Sequence, residues 1–395
     1  MAVQELLDGF DHVETRAEFD ALLGRGKSLI VKLGLDPTTP DLHLGHAVVL
    51  RKLQEFVEGG HQVVLIIGDG TARIGDPSGR KAMRPPLTQD EIRANMVTYA
   101  QQAGKVLDME RVQVRYNSEW LDKLSFGDIL KLLAQVTVAQ MLARNDFAQR
   151  HGQNEPIALH EFLYPVAQAY DSVAIAADLE LGGNDQLFNL LMGREYQANA
   201  GQRRQVIGTT PLLEGLDGVK KMSKSAGNYV GITEPARLQF GKLMSLPDDL
   251  IPRYAQLVAL RPKDQCARLA ADLAAGVAKP MEEKKKLAQE IVALYHGGPE
   301  ADAARDYFER TVQRKELPSG DLPEIRLRDA RRVPDVMVAA GLAESKRAAE
   351  RLISGKGVKV DGILVHDPRA PWTWPQPAVL SVGSRKFVRI VPDQS

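Results

Sequence analysis

The sequence predicts an α/β chain in which a parallel sheet wrapped by helices precedes a helical domain and a small α+β domain. Three observations support this order. Short β-branched runs alternate with amphipathic stretches over residues 27–228. Over residues 234–314 no strand pattern survives, and Ala, Leu, Glu and Lys dominate. Beyond residue 331 a short helix pattern and two short strand patterns return, and the charge becomes basic.

The composition is that of an ordinary globular chain with more than one domain. Of the 395 residues, 44% are hydrophobic and 26% are charged, and about 150 residues per domain predicts two or three domains. The longest apolar runs, such as residues 63–67, are far shorter than the roughly 20 residues that span a bilayer, so we expect no membrane partner. The sequence shows no secretory pattern, and its single cysteine, Cys266, excludes an internal disulfide. We therefore expect a cytoplasmic protein.

Five runs are predicted to form the strands of the parallel sheet. They are rich in β-branched residues and are bounded by turn residues. These runs are residues 28–35, 62–68, 111–116, 178–181 and 205–209. After the first strand, apolar residues recur at helical spacing at Ala47, Leu50, Leu53 and Val57. This spacing predicts an amphipathic helix that packs on the sheet.

We expect four segments along the chain. Residues 1–230 form the α/β domain, residues 231–314 the helical domain, residues 315–330 a linker, and residues 331–395 the small α+β domain. The last segment carries eleven basic and six acidic residues, a net charge of +5, so the rest of the chain carries −5. A basic domain on an acidic body suggests a polyanionic partner, because phosphate neutralisation is the main sequence-independent source of affinity for nucleic acids.

Two histidines follow the first predicted strand at the start of a helix. In that strand, alternation places Lys32, Gly34 and Asp36 on one face, which could line a pocket. His43-Leu44-Gly45-His46 then leads into the helix. Unpaired amides and the helix dipole favour anions there, two imidazoles add donors, and Gly45 allows a flat ligand to approach the backbone. The pattern indicates a nucleotide phosphate site. A helix cap with a surface histidine is the alternative, and zinc is disfavoured because no suitable third ligand lies nearby.

A cluster of lysines follows the last predicted strand, in a polar loop. The run is Lys220-Lys221-Met222-Ser223-Lys224-Ser225. Lys221 and Lys224, three positions apart among hydroxyls, suit a loop that closes over a triphosphate, whereas a lysine cluster alone is more often solvated surface. A second basic segment, residues 75–84, contains Arg80 and Arg84 and on its own could be an ordinary turn.

Together, His43-Leu44-Gly45-His46 and Lys221-Met222-Ser223-Lys224-Ser225 resemble the signature pair of the class I aminoacyl-tRNA synthetases, whose catalytic domain is Rossmann-like. The resemblance implies that the α-carboxylate of an amino acid attacks the α-phosphorus of ATP and that pyrophosphate leaves. It implies that the two histidines donate to the phosphates and that the two signature lysines hold the pyrophosphate. Mg²⁺ would be carried by ATP, and no metal bound by the protein itself is expected.

The same resemblance assigns further residues. It adds Thr38 to the catalytic residues, together with Arg80 and Arg84, which stand at the cationic positions of the family's mobile basic loop. The residues that it implies for ATP binding are Asp36, His43, Gly45, His46, Gly183, Asp185 and Lys224.

A polar stripe on a predicted helix bears on the identity of the amino acid. In residues 160–171, Tyr164, Gln168 and Asp171 stand at positions i, i+4 and i+7, on one face among apolar neighbours. Buried polar groups need partners, so the stripe predicts either a ligand pocket or an internal hydrogen-bond network. The stripe is similar to that of the tyrosyl-tRNA synthetases.

This second resemblance implies contacts with both ends of tyrosine. Tyr164, Gln168 and Asp76 would bind the ammonium group of the substrate. Asp171 would accept the phenolic hydroxyl, and Gln186 would approach the carboxylate.

Four positions refine the resemblance. In Gly182-Gly183-Asn184-Asp185, Asp185 would meet the ribose hydroxyls and Gly183 would pack beside them. A tryptophan-specific relative is expected to carry an apolar residue in place of Gln168. Many tyrosyl members have a tyrosine where this chain has Lys32, so a second contact with the phenol is not implied here.

The basic tail resembles a small RNA-binding module of the S-four type, first named for a ribosomal protein. A short helix at residues 345–354, a Gly-Lys-Gly turn and a strand at 358–360 carry this resemblance. Basic residues around a short helix are often plain surface, but the module implies contacts with RNA shape and phosphates. The residues that it implies for tRNA binding are Lys346, Arg347, Arg351, Lys356 and Lys359.

The resemblance covers nearly the whole chain and implies an enzyme that uses L-tyrosine, ATP and tRNA(Tyr) and that forms a homodimer. Two alternatives stay open. One is a tryptophan-activating relative, and the other is an RNA-binding protein with an inactive synthetase-like body.

Overall fold

The computed structural model describes residues 6–38, 40–77, 87–314, 322–327, 332–373, 377–383 and 386–392. The chain separates into two compact units. The first comprises Met1–Glu234 and Leu246–Pro280, and the second comprises Pro235–Ser245 and Met281–Ser395. The predicted helical domain, residues 231–314, is thus divided between the two units.

A six-stranded sheet forms the centre of the first unit. Its strands are β1 His12–Glu14, β2 Ile30–Leu35, β3 Gln62–Ile67, β4 Val112–Tyr116, β5 Leu179–Gly183 and β6 Val206–Thr210. In space they follow the order β1-β6-β5-β2-β3-β4, and all are parallel except β1, which pairs antiparallel with β6. The five predicted strands are confirmed as β2 to β6. The sequence missed β1, because three residues are too few to show an alternation.

The middle of this sheet is buried and apolar. Leu33 of β2 pairs with Leu65 of β3 on one side and with Leu181 of β5 on the other. All three side chains are buried. Parallel strands covered on both faces need apolar residues throughout, which explains the continuous apolar runs in the sequence.

The α-helices of both units are numbered in chain order. They are α1 Arg16–Leu23, α2 Leu44–Glu58, α3 Gln89–Ala103, α4 Ser118–Leu121, α5 Phe126–Leu133, α6 Val138–Leu142, α7 Asn145–Gly152, α8 Leu163–Ile175, α9 Leu187–Asn199, α10 Ala236–Leu243, α11 Ile251–Leu257, α12 Lys263–Ala274, α13 Pro280–His296, α14 Gly298–Phe308, α15 Val333–Ala339 and α16 Lys346–Ser354. The predicted amphipathic helix is confirmed as α2, whose four predicted core residues are all buried. Within the described residues, every helix is too short or too polar to span a bilayer.

Residues 246–280 join the first unit through contacts with the segment after β6. Tyr254 of α11 is buried, and its hydroxyl donates to the carbonyl of Glu214 at 2.5 Å. Arg253 donates to the carboxylate of Glu214 at 2.5 Å and to the carbonyl of Leu212 at 2.7 Å. These partners lie far apart in the sequence, so helical periodicity alone could not assign α11 to this unit.

The second unit contains α10, most of α13, α14 and a five-stranded sheet. The strands are β7 Glu324–Leu327, β8 Val358–Val360, β9 Ile363–Leu364, β10 Ala378–Val382 and β11 Lys386–Pro392, in the order β7-β11-β10-β8-β9. The predicted tail helix is α16, whose cap Ser345 accepts the amide of Ala348 at 3.2 Å. Strand β7 lies inside the predicted linker. It forms a strand because Ile325 pairs with Ile390 and packs against the core of this sheet.

Candidate active site

The carboxyl ends of β2 and β5 flank the point where the strand order reverses. From β2 the chain proceeds to β3 and β4 on one side, whereas β5 and β6 lie on the other side. Open α/β sheets bind ligands at such a point. Gly34 of β2 is exposed, and a Cβ atom added to it would meet nothing within 4 Å. The predicted pocket face of the first strand therefore has room for a ligand at Gly34.

Asp36 follows β2 in a crowded acidic environment. Its Oδ1 accepts a hydrogen bond from the hydroxyl of Thr71 at 2.7 Å. Burial raises the pKa of Asp36 to about 7; the bond from Thr71 opposes this rise, and the carboxylates of Asp76 and Asp171 add to it. A Cβ atom on Gly68 would lie 2.0 Å from Asp36 Oδ1, so only glycine fits there.

Asp171 of α8 is held by two N–H donors. It is buried, and its carboxylate accepts from Trp120 Nε1 at 2.8 Å and from Asn117 Nδ2 at 3.3 Å. Burial raises the pKa of Asp171 to about 6, whereas the charge of Lys32 and these two bonds lower it. Asp171 is therefore mostly ionised at neutral pH and keeps further lone pairs with which to accept a hydroxyl.

The other two residues of the polar stripe contact different partners. Burial raises the pKa of Tyr164 well above its ordinary value, and the carboxylates of Asp36 and Asp76 raise it further. The Tyr164 hydroxyl is thus always protonated. Gln168 accepts from Asn189 Nδ2 at 2.8 Å through its Oε1 and donates from Nε2 to Glu180 at 3.4 Å.

Asp76 is bound by an arginine and by an amide. Arg144 donates to Asp76 Oδ1 at 3.3 Å, and Gln186 donates to Asp76 Oδ2 at 3.0 Å. Asn189 contacts both of these partners. The carboxyl groups of Asp76 and Asp171 also interact electrostatically with Asp36, and a group of carboxylates favours a cationic ligand.

The ammonium group of Lys32 contacts three acceptors within the protein and does not serve the phenol. Its side chain is fully buried, and Nζ lies 2.8 Å from Glu180 Oε1. It also donates to Ser172 Oγ at 2.8 Å and to the carbonyl of Gln168 at 3.0 Å. These three acceptors match the three protons of an ammonium group. Lys32 of β2 therefore links helix α8, through Gln168 and Ser172, to the sheet.

His43 caps helix α2, and His46 lies in its first turn. Their ring centroids are 3.9 Å apart. Nδ1 of His46 accepts the backbone amide of His43 at 3.2 Å, so a neutral His46 carries its proton on Nε2. Burial lowers the pKa of His46 to about 4, and the charges of Lys221 and Lys224 contribute to this shift. Burial also lowers the pKa of His43, with His46 and both lysines adding to the effect. Both imidazoles are therefore neutral near pH 7.

The lysine loop is folded around one buried asparagine. Asn228 accepts the backbone amide of Ser223 at 2.8 Å and donates to Asp217 at 3.0 Å. Lys221 Nζ lies 2.6 Å from Asp185 Oδ2. Lys224 forms an ion pair with Asp41. The loop thus presents two ammonium groups, each held by a carboxylate.

Backbone pairing joins the histidine segment to the lysine loop. His43 and Gly231 form an antiparallel bridge. The amide of Leu44 donates to the carbonyl of Val230 at 3.0 Å, and the amide of Ile232 donates to the carbonyl of Leu42 at 3.1 Å. The two sequence motifs, about 180 residues apart in the chain, therefore meet at the start of α2.

The remaining predicted site residues fall into three groups. Thr38 donates its amide to the carbonyl of Asp36 at 2.8 Å, and a Cβ atom on Gly183 would lie 2.9 Å from Asp185 Oδ1. Arg80 and Arg84 lie outside the described residues. In the second unit, the five predicted tRNA contacts are all exposed: Lys346, Arg347, Arg351, Lys356 and Lys359.

The sequence did not reveal several side chains that shape the pocket. Arg144 donates to Asp76, and Asn189 donates to Gln168 and Gln186. Asn117 and Trp120 donate to Asp171. Each lies in a segment whose pattern predicts only a helix or a loop. The signal that could have found Asn189 is its position three residues after Gln186, which puts both on one side of a helical turn.

Comparisons with known proteins agree with this geometry. Residues 25–313 match the family model of the tRNA synthetases class I (W and Y), and residues 331–371 match the S4 domain. The tyrosine–tRNA ligase of Moorella thermoacetica is 51% identical over 378 residues, which cover 95% of this chain and 91% of that protein. The chain belongs to the tyrosine–tRNA ligase family. The predicted resemblance is thereby confirmed.

Other members of the tyrosine–tRNA ligase family give the same result. The ligase of Thermotoga maritima is 48% identical over 380 residues, which cover 96% of this chain and 94% of that protein. The solved tyrosyl-tRNA synthetase of Archaeoglobus fulgidus, complexed with L-tyrosine, has a TM-score of 0.63 at 23% identity, covering 77% of this chain and 98% of that one. This last likeness shows the fold. These relatives do not support a tryptophan-activating enzyme. They also do not support an RNA-binding protein with an inactive synthetase-like body.

Proposed function

We propose that the chain activates L-tyrosine with ATP and transfers the tyrosyl group to the 3′ end of tRNA(Tyr). The observation that carries this proposal is the bridge between His43 and Gly231, because it joins the segments of the imidazole pair and the lysine loop. The carboxyl groups of Asp36 and Asp76, which interact electrostatically, supply negative charge that suits the ammonium group of an amino acid. Membership of the ligase family supports tyrosine as that amino acid.

In this proposal, tyrosine is bound at both of its ends. Asp76, Tyr164 and Gln168 supply oxygen acceptors for the ammonium group. The phenolic hydroxyl donates to Asp171, and Gln186 approaches the carboxylate. A site built around an acceptor for the hydroxyl rejects phenylalanine, because phenylalanine would exclude water from Asp171 without supplying the hydrogen bond that the hydroxyl donates.

ATP is the second substrate, with Mg²⁺ bound to its phosphates. His43 and His46 are neutral. Each imidazole can donate a hydrogen bond from its N–H group to the phosphates and keeps its proton. Lys221 and Lys224 exchange their carboxylate partners for the phosphate oxygens, and Asp185 then accepts the ribose hydroxyls. The other residues proposed to contact ATP or the transition state are Asp36, Thr38, Gly45, Arg80, Arg84 and Gly183.

The chemistry requires positioning and charge stabilisation and no covalent nucleophile. A carboxylate oxygen of tyrosine attacks the α-phosphorus, the bond from that phosphorus to the bridging oxygen breaks, and pyrophosphate leaves with its Mg²⁺. The terminal ribose hydroxyl of the tRNA then attacks the carbonyl carbon of the adenylate. Its proton passes to the departing phosphate, and AMP leaves.

The tail is proposed to bind the tRNA through its phosphates. Lys346, Arg347, Arg351, Lys356 and Lys359 are exposed around one short helix and the turn that follows it. Such an array suits backbone recognition more than the reading of base edges. The S4 match over residues 331–371 supports this role.

We also expect a cytoplasmic homodimer. Helix α5 is largely apolar, yet none of its residues is buried in the single chain. Phe126 is 76% exposed, and Val138 of the next helix is 64% exposed. Exposed apolar groups of this size are typical of protein interfaces, and a second copy would cover them. Analytical ultracentrifugation tests this expectation, and a monomer at micromolar concentration would contradict it.

Amino-acid-dependent exchange of pyrophosphate into ATP tests the proposed function. We expect exchange with L-tyrosine and none above background with L-tryptophan or L-phenylalanine. Charging of tRNA(Tyr) with labelled tyrosine tests the second step. Exchange that depends on tryptophan, or no exchange with any amino acid, would refute the proposal.

A further inference from the structure

A closed ring of hydrogen bonds lies beside the proposed ammonium site. Arg144 donates from Nη2 to Asp76 at 3.3 Å and from Nη1 to Asn189 Oδ1 at 3.0 Å. Asn189 donates to Gln186 Oε1 at 3.0 Å, and Gln186 donates back to Asp76 at 3.0 Å. A branch runs from Asn189 Nδ2 to Gln168 Oε1 at 2.8 Å. The ring thus connects three proposed tyrosine ligands through two residues that have no assigned role.

Arg144 is held so that its guanidinium has one orientation. The residue is 5% exposed. Its Nε lies 2.8 Å from Asp146 Oδ1 while Nη1 and Nη2 serve the ring. The guanidinium carbon lies 5.4 Å from the centre of the Phe147 ring. Three directed bonds and an aromatic contact fit only a planar fork, so a lysine at this position could not replace them.

Asn189 favours one orientation of the amide groups of Gln168 and Gln186. A glutamine side chain has an oxygen and an NH₂ group of nearly equal size, and its orientation follows from its partners. Asn189 is 1% exposed, and its Nδ2 faces the Oε1 atoms of both Gln168 and Gln186. This fixes the Gln186 NH₂ group on Asp76 and leaves Gln168 Oε1 with one further lone pair to accept a proton from a ligand.

We propose that Arg144 and Asn189 are positioning residues of the tyrosine ammonium site. Arg144 fixes the carboxylate of Asp76, and Asn189 fixes the amide orientation of Gln168 and Gln186. Neither residue touches the substrate. This inference rests on the proposed function, because it assigns the three ligands to the ammonium and carboxylate end of tyrosine.

The Asn189→Asp variant is the sharpest test, because it keeps the shape and exchanges the NH₂ group for oxygen. To donate to residue 189, Gln168 must turn its NH₂ group away from Glu180 and Gln186 must turn its NH₂ group away from Asp76. Gln168 would then present NH₂ to the ammonium group, and Asp76 would lose its bond from Gln186. Loss of one hydrogen bond to a charged group corresponds to about a tenfold effect. We therefore expect the KM for tyrosine in pyrophosphate exchange to rise about tenfold or more, while the KM for ATP stays within about twofold of the parent.

A ligand without the ammonium group separates positioning from general disruption. The probe is 3-(4-hydroxyphenyl)propionate, measured as a competitor of L-tyrosine. Wild-type protein should bind tyrosine more tightly than this probe, and Asn189→Asp should reduce that preference about tenfold. Arg144→Lys should give the same pattern, so the inference stays testable if Asn189→Asp does not fold.

Gln197→Glu is the matched control. Gln197 is a buried amide on the same helix, α9, but its NH₂ group donates to the carbonyls of Ser172 and Ala177, outside the ring. This variant should lose thermal stability without a change in the tyrosine preference. The inference is overturned if folded Asn189→Asp and Arg144→Lys keep the parental KM for tyrosine. It is also overturned if both KM values rise together and Gln197→Glu behaves alike. Absence of tyrosine-dependent exchange in the wild-type protein would instead refute the proposed function.

Discussion

The ammonium group of Lys32 lies 2.8 Å from the carboxylate of Glu180, and the two side chains are 0% and 1% exposed. Ser172 and Gln205 complete this network by donating to Glu180 at 2.9 Å and 2.5 Å. A buried charge that loses its partner is costly, whereas removal of both charges is often tolerated.

We therefore predict that Lys32→Met lowers the free energy of unfolding by about 3–5 kcal/mol. The double variant Lys32→Met/Glu180→Gln should recover most of this loss. Urea denaturation measures both values. Arg16→Met, which breaks an exposed pair with Asp20, is the control and should change stability by less than about 1 kcal/mol. A similar small effect of Lys32→Met would contradict the prediction.

Asp171→Asn should impair recognition of the phenolic hydroxyl. The asparagine can still accept from Trp120, but its NH₂ group replaces one acceptor and the negative charge is lost. We expect kcat/KM for tyrosine in pyrophosphate exchange to fall about 10- to 100-fold, the value of a hydrogen bond to a charged group. The KM for ATP serves as the internal control and should not change. Equal activity of the variant and the parent would remove Asp171 from the phenol site.

The pH dependence of stability should report on His46. Its pKa is about 4 in the folded protein and about 6.5 in an unfolded chain. The unfolded state therefore binds more protons between these values, and the folded protein loses stability as the pH falls from about 6.5 to 4. The raised pKa of Asp36 acts in the opposite sense in the wild-type and variant proteins alike. We expect the wild type to lose more stability than His46→Asn between pH 7 and 5. Parallel losses in urea denaturation would contradict the shift.

Lys224→Ala should slow activation without weakening the binding of tyrosine. Lys224 is paired with Asp41 next to the histidine segment, and its proposed role begins when pyrophosphate departs. Single-turnover formation of the adenylate measures the rate, and we expect a loss of about 10²-fold or more. Lys220→Ala changes the exposed neighbouring lysine and should leave the rate unaltered. Equal rates in the two variants would argue against the role of the loop.

Charge reversal in the tail should separate the two steps of the reaction. Lys356→Glu/Lys359→Glu should leave tyrosine-dependent exchange intact and raise the KM for tRNA(Tyr) by about tenfold or more, with a reduced dependence on salt. Filter binding across a salt series gives the slope. An unchanged slope and KM would place the tRNA contacts elsewhere.

Much of the first unit follows from local patterns in the sequence. β-branched runs located five strands of the sheet, and the spacing of the histidines and lysines identified the two segments that meet at the start of α2. Periodicity could not reveal which distant side chains meet. Arg144 contacts Asp76 across 68 positions of the chain, and Lys32 contacts Glu180 only because β2 pairs with β5. For the same reason, the short segments β1 and β7 form strands because they pair with β6 and β11, and their own residues do not predict a strand.

A crystal structure with a non-hydrolysable analogue of tyrosyl-adenylate tests the central claim most directly. We expect the ammonium group at Asp76, the phenol at Asp171, and the group that replaces the phosphate within hydrogen-bond distance of His43 or His46. An analogue bound away from the point where the His43 and Gly231 segments pair would contradict it.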